Sequence, residues 1–131
     1  VGGEPRFRSR YLEANTDAAE VIHRLQAALG KRAWVGGRSE AIAANWFGET
    51  SSEVAERLGE VLVVARGQYS VTMSDDSPAA LAMIGQHGGI SEEERGVPLC
   101  LGGALAGSGF GAVLARVAGS CGSPDPAGHR I

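Results

Sequence analysis

The chain has 131 residues, of which 44% are hydrophobic and 21% charged, enough for one globular core and too apolar for a wholly disordered chain. A net charge of −3 argues against nucleic acid as the main partner, and no apolar run reaches the roughly 18 residues that span a bilayer. Two cysteines are too few for a disulfide scaffold, and three histidines without a Cys-x-x-Cys exclude a self-contained structural zinc site.

Arg6, Phe7, Arg8, Ser9, Arg10, Tyr11 and Leu12 alternate as a half-buried strand, with Phe7 and Tyr11 on one parity and the three arginines as its solvated face. Asn15 or Thr16 then caps a helix carrying the stripe Ala18, Val21, Ile22, Leu25, Ala28 and Leu29, and Gly30 stops it. His23 lies off that stripe and is expected in solvent. A short strand over residues 32–35 ends at Gly36 and Gly37, and Ser39 caps a helix over residues 39–46. Trp46 and Phe47 close that helix as packing residues. Thr50 and Glu53 fit a capping box before Val54 and Leu58, with Gly59 as the stop.

The run Val61, Leu62, Val63, Val64, Ala65 is β-rich, and Arg66 and Gly67 make a tight turn. Tyr69 to Met73 alternates, so residues 61–73 read as a β-hairpin. Asp75 and Asp76 sit in a polar loop closed by Pro78, where turn chemistry outweighs cation binding. Residues 79–84 are apolar. Ser91 caps one turn over Glu92, Glu93 and Glu94. Residues 97–101 suggest a buried strand, and Pro98 puts it at an edge. From Gly102 glycine and alanine dominate, with a weak helical pattern over residues 110–117 and a stretch at Ser123, Pro124, Asp125 and Pro126 that reads as disordered.

His87 is the chemical candidate. Gly85, Gly88 and Gly89 flank it, so backbone and a metal ion can approach closely. Neutral imidazole is a common ligand for zinc and related metals. Spacing alone is a weak signal, because a lone histidine in a glycine-rich loop is more often a turn residue.

The run from Ile84 through Gln86, His87, Gly88, Gly89, Ser91, Glu92, Glu93 and Glu94 to Val97, Pro98 and Leu99 resembles the C-terminal signature of bacterial type I phosphodiesterase/nucleotide pyrophosphatase proteins of the alkaline phosphatase superfamily. Their late motif reads Gly-x-His-Gly, a Ser/Thr-initiated turn with glutamate, then Val-Pro-Leu. Trp34-Val35, Arg38 to Ala41, Trp46 to Gly48 and Glu56 to Val61 recur in the family's order, so the resemblance covers about residues 5–103. It implies an α/β fold, the C-terminal part of an α/β/α three-layer sandwich of the alkaline-phosphatase type. It also implies two divalent metal ions, usually zinc, with His87 matching the family's last metal ligand. In the family the metals act as Lewis acids on the phosphoryl group and activate a Thr or Ser nucleophile.

The resemblance does not carry the rest of that machinery. Asp17, Asp75, Asp76 and Asp125 are the only aspartates, and none matches another family ligand. No aspartate-ended strand, Thr or Ser nucleophile segment or Asp-His-Gly segment is present. The resemblance therefore implies residues 1–103 as the C-terminal portion of the hydrolase domain, residues 104–131 as a weakly ordered Gly/Ala-rich tail, and no catalytic residue in this chain. The parent enzyme would act on a small phosphoester or nucleotide. The other reading is a free-standing, non-catalytic α/β interaction or regulatory module. The two unpaired-looking cysteines favour a reducing cytoplasm.

Overall fold

The computed structural model describes residues 1–98 and 100–120, the last four as backbone. The chain is mixed α/β. Strands β1 (Gly2–Glu4), β2 (Phe7–Arg10), β3 (Ala33–Gly37) and β4 (Val61–Ala65) form one sheet in the order β1-β2-β4-β3, with every neighbouring pair antiparallel. The helices are α1 (Ala18–Leu29), α2 (Arg38–Ala43), α3 (Ser52–Glu56), α4 (Pro78–Ala82), α5 (Glu92–Arg95) and α6 (Phe110–Ser120).

β4 organises the sheet. It is apolar on both faces, so it is stable only where both faces are covered, and all five of its residues are buried. Ala33, Val35, Val61 and Val63 form the core of one face, under Ala18, Val21, Ile22, Leu25 and Leu29 of α1. The helical period predicted these five, while Ala28, the sixth member of the expected stripe, is exposed. Asp17 caps the helix in place of Asn15 or Thr16, its carboxylate accepting the Ala19 N–H at 2.9 Å, and the helix ends at Gly30 as expected. His23 is exposed, as its position off the stripe implied.

On the opposite face, which Leu62 and Val64 share, Phe7 and Trp34 meet residues that follow α2. Trp46 packs on Trp34 with ring centroids 4.2 Å apart, and Phe7 meets Trp46 and Phe47 edge-on at 6.4 and 6.0 Å. The two aromatics do pack, though α2 ends at Ala43, before them. Gly36 and Gly37 belong to β3 instead of ending it, and the Glu40 carboxylate accepts the Gly37 N–H at 2.9 Å. Ser51, one residue after the expected Thr50, caps α3.

Three expectations are overturned. Residues 61–73 do not form a hairpin. The turn at Arg66 is present, with the Tyr69 N–H donating to its carbonyl, but both edges of β4 are already occupied by β2 and β3. Residues 69–73 instead cross the α1 face of the sheet beside β2, where the Val71 N–H donates to the Pro5 carbonyl at 2.7 Å. The described part of residues 97–101 is not a buried edge strand: it forms no strand, and Val97 is 82% exposed.

The third correction concerns the arginines. Arg6 and Arg8 are buried, at 7% and 9% exposure, and Arg10 is half-buried, so they are not a solvated face. The register pairs Arg8 with Val63 and Arg10 with Val61, which puts them on the same face as the α1 core. Helix α1 covers only the β3–β4 half of that face. The returning chain from Tyr69 to Glu94 covers the rest.

Candidate functional site

That returning segment brings the chemistry-bearing residues to the sheet, and two guanidinium groups hold it there. Arg8 Nε donates to the Val71 carbonyl at 3.1 Å, Nη1 to Gly3 at 3.2 Å and Nη2 to Asp76 Oδ2 at 2.7 Å. Asp76 also accepts the Met73 N–H at 2.8 Å. Turn chemistry and an ion pair thus occupy this aspartate, in accord with the reading that set cation binding aside. Arg6 Nη1 donates to the Tyr69 carbonyl, while its Nε and Nη2 reach Glu94 Oε1 and Oε2 at 2.7 and 2.9 Å. Few buried backbone groups are left unpaired in folded proteins. Here arginine side chains satisfy carbonyls of a segment that joins no strand.

Glu94 gathers four donors. Besides the two from Arg6, the Gly89 N–H reaches Oε1 at 2.9 Å and the Ser91 hydroxyl reaches Oε2 at 3.0 Å. The Arg6 guanidinium, opposed in part by burial and helped by the Gly89 and Ser91 hydrogen bonds, holds the Glu94 carboxyl well below the usual carboxylate range, at about 2. A short helical turn, α5, does follow Ser91 as expected, but the Ser91 side chain does not cap it: the hydroxyl donates to Glu94, which faces the sheet.

His87 lies on the loop that this carboxylate holds, two residues before Gly89, and its side chain is exposed. Gly88 has φ +96°, and a Cβ there would stand 2.6 Å from Glu4 Cβ; a Cβ on Gly89 would run into the Glu94 carboxylate. Glycine at both positions is thus required by close approach and, at Gly88, by a left-handed backbone. Gly85 has open space around it. Next to His87, Met83 and Ile84 are 56% and 99% exposed. An open cavity of about 480 Å³ flanks the loop and is lined in part by Arg6, Tyr69, Ile84, Gln86, Glu93 and Glu94.

Among the described residues no group of three or more His, Cys, Asp or Glu side chains gathers in a way that could hold a metal ion. His87 is a suitable single donor, but the described residues do not by themselves fit a two-metal centre. Cys100 is exposed. Cys121, His129 and the stretch around Pro124 lie outside the described residues. Among the described residues no helix is long and apolar enough to cross a membrane.

Sequence reasoning singled out His87 and missed Arg6, Arg8 and Glu94. Two signals pointed to them: arginine at every second position of one short strand, and glutamate three residues after Ser91. Comparison with protein-family models, with curated proteins and with solved structures finds no match to the chain.

Proposed function

We propose that the chain is the C-terminal part of a metal-dependent phosphoester hydrolase of the phosphodiesterase/nucleotide pyrophosphatase type. In this reading its sheet and helices belong to an alkaline-phosphatase-like three-layer sandwich. His87 supplies one ligand to a pair of divalent metal ions, zinc in the first instance. The remaining ligands and the Thr or Ser nucleophile come from residues outside this sequence, and the substrate is a small phosphoester or nucleotide.

One observation carries the reading: an exposed imidazole stands on a firmly held, glycine-flanked loop beside exposed apolar side chains. Met83, Ile84 and Val97 each expose most of their surface. The motif order around His87 supplies the chemistry. The test is the reading frame upstream of the Val1 codon. An open frame encoding an aspartate-ended strand, a Thr or Ser nucleophile and an Asp-His-Gly segment supports the proposal; a start codon directly before Val1 contradicts it.

The second reading is a non-catalytic interaction or regulatory module. In that reading the same exposed apolar side chains face a partner protein. Replacing His87 by Ala separates the two, since only the hydrolase requires the imidazole.

A further inference from the structure

We infer that Glu94, fixed by Arg6, is the positioning residue for His87: the pair joins the start of β2 to the His87 loop and sets where the imidazole stands. The inference rests on the proposed function only for what the imidazole is used for. Its geometry stands apart from that reading.

Little else ties the His87 loop to the sheet. Residues 85–90 belong to no helix or strand. Gln86 Nε2 donates to the Met83 carbonyl at 2.8 Å, a local contact on the near side of His87. On the far side the link to the sheet is Gly89 N–H to Glu94 and Glu94 to Arg6. Arg6 is itself fixed, because its backbone carbonyl accepts the Ala65 N–H at 2.9 Å and its Nη1 donates to the Tyr69 carbonyl. A two-pronged guanidinium–carboxylate pair fixes direction as well as distance. Gly88 and Gly89 lie against Glu4 and Glu94 with no room for a side chain. From Arg6 to the residue after His87's neighbour the chain of contacts is unbroken, and it spans 88 positions in sequence between Arg6 and Glu94.

The chain labelled with ¹³C and ¹⁵N tests this by NMR. In Glu94→Gln the amide keeps the shape but loses the charge and accepts fewer donors. The Gly89 N–H is expected to exchange at least tenfold faster, and the His87 ring resonances to move to those of histidine in a flexible peptide. The Val63 and Val64 amides should keep their protection. A residue with a structural role alone would give a different result: protection falling evenly across β4 and the Gly89 amide, with the His87 resonances of the folded chain unmoved. That result overturns the inference. Arg6→Lys, which keeps the charge and loses the fork, should fall between wild type and Glu94→Gln at both readouts; wild-type behaviour at both counts against the inference. Should Glu94→Gln fail to fold, Ser91→Ala removes one of the four donors, and a local change at Gly89 and His87 of at least twofold in exchange is expected. No change there overturns the inference. His87→Ala keeps Gly89 protected whether or not His87 binds metal, so failure here is distinct from failure of the hydrolase reading.

Discussion

One face of one sheet is covered in two different ways. Over β3 and β4 lies a helix whose own backbone hydrogen bonds are internal, so its contribution is mainly aliphatic, Val21, Ile22, Leu25 and Leu29 on Val35, Val61 and Val63, with a polar contact from Gln26 Nε2 to the Val35 carbonyl at 2.8 Å. Each such side chain contributes roughly 1.5–3 kcal/mol when fully buried, less where it remains partly exposed. Over β2 lies an irregular segment whose polar groups need partners, and Arg6 and Arg8 supply them by donating to the carbonyls of Tyr69 and Val71 and to the carboxylates of Glu94 and Asp76, while Arg8 also reaches the Gly3 carbonyl of β1. The comparison shows that a strand residue's charge does not decide its exposure. A guanidinium is buried where the chain above it offers enough acceptors.

The two halves should respond to different perturbations, and the largest effect of all is expected at β4 itself, on the sheet face opposite α1. Leu62 is fully buried in the central strand, so Leu62→Ala is expected to cost about 2–5 kcal/mol in urea unfolding. A loss under 1 kcal/mol would mean that β4 is not the centre of the core. Arg6→Ala comes next. It leaves the Glu94 carboxylate without its cation and the Tyr69 carbonyl without its donor, at a cost of about 2–4 kcal/mol. Limited proteolysis should then cut within residues 69–94 while β4 survives, and cutting spread evenly along the chain would contradict the division into halves.

Acid sharpens the comparison. The folded carboxyl of Glu94 lies at about 2, below its ordinary 4.5. Its contribution to stability is therefore complete above about pH 4.5 and is lost as pH falls from there through about 2. Between pH 4 and pH 2 the Gly89 amide should lose protection, relative to its intrinsic exchange rate, ahead of the amides of β4. Simultaneous loss would show that the ionic half is not separable. The smallest effect belongs to the exposed pair Arg24 and Glu20, 4.0 Å apart on α1, where Arg24→Ala should change stability by less than about 0.5 kcal/mol. A larger loss would show that surface charge contributes more to this helix than its aliphatic face suggests.

Much of the local structure was legible in the sequence, while the pairing was not. The stripe from Ala18 to Leu29 with Gly30 after it, the apolar run of β4, the short turn that follows Ser91 and the helix that begins at Phe110 each carry their signal within a few residues. The hairpin expectation failed because alternation in residues 69–73 shows that a segment can line a surface, not which neighbour it takes. Nothing local to β4 reveals that strands from residues 7–10 and 33–37 fill both its edges. The burial of Arg6 and Arg8 depends on acceptors more than sixty positions away, beyond the reach of any window. At the candidate site His87 was visible through its glycines. The glutamate that holds its loop looked like one of three in a solvated turn, because its distinction is a contact with Arg6 and not a property of its neighbours.

In the function we propose, the loop held by Glu94 presents a metal-ligating imidazole for phosphoester hydrolysis. The most direct measurement is Zn²⁺-dependent hydrolysis of a chromogenic phosphodiester by the protein encoded by the complete reading frame, wild type against His87→Ala. The expected result is a fall in turnover of at least about a hundredfold, equal to about 2.7 kcal/mol of lost transition-state stabilisation, with the fold retained by circular dichroism. Equal turnover in the two proteins, or no hydrolysis by the wild type with zinc bound, would contradict it.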